Sequence, residues 1–299
     1  MHFRESARAK VNLTLSVHGR RPDGYHEIES LVVFAEIGDR LTFSPGRECT
    51  VATSGPFAGD IEGRNLLETG LELLRSLDAD LELGAVRLEK ILPVAAGLGG
   101  GSADAAALLR AVRRANPERA GTVAWHDLAT RLGADVPVCL AGVPALISGI
   151  GERLAPLDLA RPLLSIACVL VNPRVPLSTA HVFRALAASS PSPHRSWRWG
   201  EGRGAAPGAT AFADLEALLA YVRARGNDLE PPATSLLPII ADVKLALGAE
   251  PACRLAAMSG SGPTCFGLFT DDAAATRAAA ALAAMHPRWW VAATRLSLG

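Results

Sequence analysis

Gly97, Gly99, Gly100, Gly101 and Ser102 stand directly before an alanine-rich stretch that opens Ala103-Asp104-Ala105-Ala106. Without a Cβ, glycines let backbone N–H groups crowd toward a ligand. A following helix adds unpaired N–H groups and the positive end of its dipole. The combination makes an anion site, most naturally for phosphate. The helix itself is predicted by spacing: Ala105, Leu108, Leu109 and Val112 recur at i, i+3, i+4 and i+7. Arg110, Arg113 and Arg114 fall near its C-terminal end, where positive charge suits the dipole. Asn116-Pro117 stops it. A plain flexible loop is the other reading of a glycine run.

The loop is of none of the commonest kinds. No lysine follows the glycines, as G-x-x-x-x-G-K-[ST] requires. Ser102 takes the place where a dinucleotide G-x-G-x-x-G needs its third glycine. The H-R-D-L-x-x-x-N and D-F-G segments of protein kinases are missing. What stands is P-x-x-x-G-L-G-G-G-S-A-D-A-A, from Pro93 onward.

The elements that must carry this loop can be read from pattern. Lys10–Val17 alternates, with Val11, Leu13, Leu15 and Val17 on one side and Lys10, Asn12, Thr14 and Ser16 on the other, as in a half-buried strand. Gly19–Gly24 is a Pro-Asp-Gly turn. Strands are predicted over Ile28–Ala35, Arg40–Phe43 and Ala85–Glu89, and helices over Leu66–Leu77 and Trp125–Leu132. Leu140–Leu154 reads as a hairpin, and Pro156 and Pro162 bracket a domain boundary. Leu164–Val171 is a continuous apolar strand. Further strands follow at Cys265–Phe269 and Trp289–Arg295, and helices at Asp214–Arg225, Pro238–Leu247 and Asp272–Met285. Residues 189–210, dense in Ser, Pro, Gly and Arg, read as an exposed or disordered insert that Trp197 or Trp199 could pin locally. Two α+β domains of mixed order follow, 1–157 and 158–299, within the size that 299 residues allow.

Composition narrows the class. Lys+Arg and Asp+Glu are both 30, so the formal charge is zero, without the basic excess of most nucleic-acid binders. Mean hydropathy is +0.22. The apolar run Ala273–Met285 is broken by Arg277 and too short and small-sided to span a bilayer, and the first residues hold no apolar signal core. Five cysteines, at 49, 139, 168, 253 and 265, form no C-x-x-C pair, and the seven histidines form no H-E-x-x-H. The expectation is a reduced, cytoplasmic protein without structural zinc.

The glycine segment resembles the phosphate loop of the GHMP superfamily, named for galactokinase, homoserine kinase, mevalonate kinase and phosphomevalonate kinase. Three further segments resemble its other motifs, in the right order: Ala9–Leu13, Gly133–Pro137 and Met258–Thr264. Gly19–Glu27, the triple glycine Gly99–Gly101, Gly149–Glu152, Ser178–Phe183 and Asn227–Glu230 resemble one branch. That branch phosphorylates 4-diphosphocytidyl-2-C-methyl-D-erythritol on its 2-hydroxyl in the non-mevalonate isoprenoid route.

The resemblance implies an α+β, two-domain fold, with a mixed N-terminal sheet and helices and a ferredoxin-like C-terminal domain. It implies ATP and Mg2+, a small-molecule substrate and no nucleic acid or membrane, and leaves monomer or homodimer open. Asp135 would take or orient the proton of the attacking hydroxyl. Lys10 beside it would favour the carboxylate form and steady the moving phosphoryl group. Pro93, Gly97, Leu98, Gly99, Gly100, Gly101, Ser102 and Ala103 would cradle ATP, with the Ser102 hydroxyl on Mg2+ or the β-phosphate, and Asn65 and Lys90 would lie near the adenine. Tyr25, His26 and Phe183 would form the cytidine pocket. Asn12, Thr179, Gly260, Ser261 and Gly262 would meet the rest of the substrate. Alone, Lys10 also reads as a solvated strand residue, Asp135 as a helix cap and Phe183 as core. Another kinase of the superfamily, acting on homoserine or mevalonate, and a non-catalytic RNA binder are the alternatives. The chain departs from the family pattern at Arg8, Ala103 and Cys139 and in the length of the insert.

Overall fold

The computed structural model describes residues 2–46, 48–157, 165–189, 212 and 214–298. Nearly all of the predicted insert, with Trp197 and Trp199, lies outside them. Along the chain run β1 (Phe3–Asn12), β2 (Ser16–Arg20), β3 (His26–Pro45), β4 (Val51–Ser54), α1 (Leu66–Leu77), β5 (Gly84–Glu89), α2 (Gly100–Ala115), α3 (Trp125–Leu132) and α4 (Val136–Ala141). Then come β6 (Ala145–Gly149), β7 (Arg153–Pro156), β8 (Ser165–Asn172), α5 (Thr179–Ser189), α6 (Leu215–Arg225), α7 (Glu230–Leu236), α8 (Ile239–Ala249), β9 (Cys253–Met258), β10 (Cys265–Phe269), α9 (Asp272–Met285) and β11 (Trp290–Ser297).

Contacts group the chain into two units that interleave in sequence rather than parting at residue 157. One is Met1–Lys10, Ile37–Val94 and Gly99–Gly142; the other is Val11–Glu36, Ala95–Leu98 and Val143–Gly299. The long strand β3 contributes to both, which is why no single cut separates them.

In the first unit, β5 pairs antiparallel with residues 40–45 of β3 and parallel with β4. Helix α2 packs against α1, α3 and α4. It is buried from Ala103 to Leu109 and again at Ala111 and Val112, wider than the predicted stripe. Its many alanines let three neighbouring helices approach at core density. Asn65 caps α1 by accepting from the Leu67 N–H at 3.0 Å.

In the second unit, four antiparallel strands lie in the order β11-β8-β10-β9. With α9 between β10 and β11, and helices between β8 and β9, this is the split βαβ arrangement of a ferredoxin-like domain. Val169, Val171, Ile240, Val243, Leu247, Phe269 and Leu282 form its core. Each large apolar side chain so buried contributes about 1.5–3 kcal/mol. The first half of β3 carries β2 and the predicted β6–β7 hairpin.

Three expectations need correcting. The strands predicted at 28–35 and 40–43 are one strand, β3. Gly38 does not break it. A Cβ there would stand 2.4 Å from the Ala7 carbonyl oxygen, so the glycine admits the β1 backbone. Second, the segment from Lys10 is not half-buried: Lys10, Asn12 and Thr14 are 4%, 2% and 2% exposed. Partners inside meet most of their polar atoms, with Thr14 Oγ1 accepting from the Leu31 N–H and Asn12 Nδ2 donating to Ser30 Oγ, while Asn12 Oδ1 has none. Third, pattern alone missed β4, α4, α5, α7 and β9, and the one strand read over Lys10–Val17 is the end of β1 and the start of β2. Pro231-Pro232 looks like a breaker, yet the prolines sit in the first turn of α7, where no N–H is needed.

Gly38→Ala is expected to destabilise the protein by about 2–3 kcal/mol, since the methyl group must displace backbone. Urea denaturation checks this; an unchanged midpoint would show that β1 and β3 have slack.

Candidate active site

Asp135 occupies the position before α4, where an aspartate commonly caps a helix. Its side chain caps nothing. It accepts a hydrogen bond from Lys10 Nζ at 2.8 Å. The Lys10 side chain is 5% exposed and that of Asp135 34%. The lysine is therefore held and the carboxylate half open, the disposition of a group that a ligand can reach. Neither a solvated strand residue nor a helix cap describes this pair. A Cβ on Gly99 would come within 3.2 Å of Lys10 Cε, so the loop backbone lies against the lysine stem. One turn into α4, the Cys139 thiol is pushed up to about 12 by burial and then by Asp135. It is an inert filler. Arg8, one of the departures, donates to the Gly142 carbonyl at the end of α4.

The glycine run leads into a helix as predicted, but the helix starts inside it, so Gly100, Gly101 and Ser102 form the first turn of α2. Gly97 and Gly99 take left-handed backbone angles (φ 73° and 62°), as does Ala95 (φ 50°). Helix α2 begins at Gly100 with no side chain capping it, which leaves its first N–H groups for a ligand. Pro93, Leu98 and Ala103 are buried, while Gly101 is exposed and Ser102 partly so. Lys90 is not open to solvent: its ammonium is shared between Asp39 and Asp104. Burial alone would lower its pKa, but the two carboxylates outweigh burial and hold it above the usual value. Asp104 is pushed up to about 7, by burial first and also by the charge of Asp39. Asn65 spends its carbonyl oxygen on α1.

The second unit gathers the residues assigned to the alcohol substrate. His26 stacks on Phe183, ring centroids 4.7 Å apart and 22° between planes. Burial, then Arg20, lowers the His26 pKa and favours the neutral ring. Tyr25 is exposed beside it in sequence. Thr179 Oγ1 and Ser261 Oγ share a hydrogen bond at 2.7 Å. Gly260 and Gly262 take left-handed angles. Asn12 Oδ1 is buried without a hydrogen-bond partner, 3.1 Å from where a Gly260 Cβ would stand. The turn 259–262 meets the 95–97 stretch closely. Ser259 Oγ donates to the Gly97 carbonyl, the Thr264 N–H donates to Ala96, and a Gly97 Cβ would lie 2.6 Å from the Ser259 oxygen.

Comparison with known proteins gives the family. The GHMP kinases N terminal domain family matches residues 65–143, and the GHMP kinases C terminal family matches 209–288. A 4-diphosphocytidyl-2-C-methyl-D-erythritol kinase of Rhodopseudomonas palustris (strain ATCC BAA-98 / CGA009) is 48% identical over 99% of this chain and 98% of its own. One from Paramagnetospirillum magneticum is 44% identical over 98% of each. This chain belongs to the 4-diphosphocytidyl-2-C-methyl-D-erythritol kinase family of the GHMP kinases. The crystal structure of a 4-(cytidine 5'-diphospho)-2C-methyl-D-erythritol kinase matches with a TM-score of 0.73 at 34% identity, over 99% of this chain and 100% of that one. A homoserine kinase from Cytophaga hutchinsonii shares the fold, with a TM-score of 0.69 at 16% identity over 99% of this chain and 95% of that one.

Within this GHMP kinase, sequence reading gave no role to Asn227. Its Nδ2 donates to the carbonyls of Met258 (2.9 Å) and Gly260 (2.8 Å), and its Oδ1 accepts from Leu229 N–H. It thus clasps the turn that meets Gly97. Asp228 accepts from the Val17 N–H at 2.7 Å and fastens β2. The Asn-Asp-Leu-Glu resemblance was the only signal, because partners some thirty residues away leave no local pattern. Asn227→Ala is expected to cost on the order of 1–3 kcal/mol, since two carbonyls lose their donor. Thermal denaturation reads the loss, and a wild-type Tm would remove the clasp.

Proposed function

We propose that this protein transfers the γ-phosphoryl group of ATP to the 2-hydroxyl of 4-diphosphocytidyl-2-C-methyl-D-erythritol, the kinase step of the non-mevalonate isoprenoid route. The supporting observation is the Lys10–Asp135 pair against Gly99, in a chain 48% identical end to end to a curated kinase of that name.

Phosphoryl transfer asks the protein for position and charge more than for covalent chemistry. Gly97, Leu98, Gly99, Gly100, Gly101 and Ser102 present N–H groups to the ATP phosphates, with Pro93 and Ala103 setting the ends of the loop. Asn65 serves the nucleoside end through its remaining amide N–H groups. The 2-hydroxyl oxygen forms a bond to the γ-phosphorus as the bond to the β–γ bridging oxygen breaks. Asp135 takes the hydroxyl proton, and ADP leaves with the bridging oxygen. Lys10 holds Asp135 in place and offers positive charge to the transferring group. Stacking on Phe183 and Tyr25 and a hydrogen bond from neutral His26 select cytosine. Asn12, Thr179 and the Gly260–Gly262 turn hold the diphosphate and alcohol.

Mg2+ is usually held by substrate phosphates and one or two protein ligands. The Ser102 hydroxyl, in the first turn of α2, is the side chain that fits that mode. Bound with ATP, the ion would neutralise charge on the phosphates. Among the described residues no single helix is long and apolar enough to cross a membrane. All five cysteines are free.

A coupled ADP-release assay over the cytidyl alcohol, mevalonate, homoserine and galactose tests the substrate; preference for any of the last three would refute it. Asp135→Asn is expected to lower kcat roughly 10²–10⁴-fold, with ATP affinity kept within a few-fold. His26→Ala is expected to lower kcat/KM for the cytidyl alcohol roughly 5- to 150-fold and to leave the KM for ATP nearly untouched. A wild-type kcat/KM in His26→Ala would take His26 out of cytosine recognition.

A further inference from the structure

Three buried charges stand against the first turn of α2. Lys90 Nζ donates to Asp39 Oδ2 at 2.5 Å and to Asp104 Oδ2 at 2.8 Å. The three side chains are 4%, 0% and 4% exposed. Asp39 comes from β3, Lys90 from the end of β5 and Asp104 from α2. The other Asp39 oxygen accepts the backbone N–H groups of Ile91 (2.5 Å) and Leu92 (2.8 Å), the residues that lead into the glycine loop. A Cβ on Gly100 would stand 3.3 Å from Lys90 Nζ. One cation thus fixes a strand, the approach to the loop and the helix behind it.

Stability alone does not account for such an arrangement. Buried ion pairs often contribute no more than apolar side chains of the same volume, whereas removing one partner is costly. This trio carries one cation and two carboxylates, and Asp104 Oδ1 is buried without a hydrogen bond. What it does supply is fixed geometry at one place, the start of α2.

We propose that Lys90, Asp39 and Asp104 are positioning residues for ATP. They set the loop approach against the first turn of α2, and Lys90 acts on the nucleotide through that geometry rather than by touching it. The proposal rests on reading Gly97–Ser102 as the phosphate loop.

The test compares Lys90→Met, Asp104→Asn and the double variant in the full chain. ATP affinity is read by calorimetry, Tm by thermal denaturation, and kcat with the cytidyl alcohol. Lys90→Met leaves two buried carboxylates without their cation. It is expected to lower Tm and to weaken ATP binding on the order of tenfold. Adding Asp104→Asn removes one of those charges and is expected to raise Tm again while ATP binding stays weak, because no cation then joins the loop approach to α2. Asp104→Asn alone keeps Lys90 and is expected to weaken ATP binding severalfold; wild-type affinity there, beside a loss in Lys90→Met, would show that Lys90 touches the nucleotide, and the proposal falls. It falls too if folded Lys90→Met or the double variant binds ATP as the wild type does. If Lys90→Met does not fold, Asp104→Asn and the double variant decide: weakened ATP binding in both supports positioning, and wild-type affinity in either overturns it. Affinity is read without turnover, so failure of the wild type on the cytidyl alcohol would count against the substrate and not against the trio.

Discussion

A nearly buried lysine ammonium, held by one half-open carboxylate, is the interaction that constrains the rest of the first unit. An ammonium taken out of water must keep a partner. Lys10 keeps Asp135 at 2.8 Å. For that to happen β1 must deliver the lysine inward, and Asp135 must stand before α4 without spending its carboxylate on the helix. Gly99 must also lack a Cβ where the lysine stem passes. Each is a local choice that looks unfavourable by itself. Together they leave a half-open carboxylate, held by a lysine whose stem lies against Gly99 at the start of α2, where the proposed transfer to an alcohol would need it.

The same economy runs through the second unit. Left-handed glycines allow the turn 259–262 to approach the 95–97 stretch at backbone distance. Such closeness is useful only if the turn cannot collapse. Asn227 and Ser259 prevent collapse with hydrogen bonds to carbonyls at the tightest points. A ferredoxin-like sheet with a continuous apolar core beneath its helices carries the turn.

Much of this was legible in the sequence where signals are local. The helices at 66–77 and 125–132 and the strand at 265–269 appear with the predicted limits, because strong periodicity coincides there with a cap, a glycine or a turn. The glycine loop was legible because few other uses put four glycines at the start of so regular a helix, although two of them, Gly100 and Gly101, belong to α2 itself. What escaped was long-range. Asp39 and Lys90 are 51 residues apart, so the resemblance that set Lys90 near the adenine gave no sign of the two carboxylates that hold it. The continuity of β3 through Gly38 was hidden as well, because the Ala7 backbone that the glycine admits lies some thirty residues away in sequence. The alternation from Lys10 suggested a polar face in water, whereas Asn12 and Thr14 find their partners inside.

The claim that Lys10 and Asp135 act as one unit is most directly tested by a double-mutant cycle on kcat/KM with Lys10→Met, Asp135→Asn and the pair together. Residues that function as a unit lose far less in combination than the sum of their single losses. The double variant is therefore expected to be about as impaired as the worse single one. Losses that simply add would show two independent groups and contradict the account.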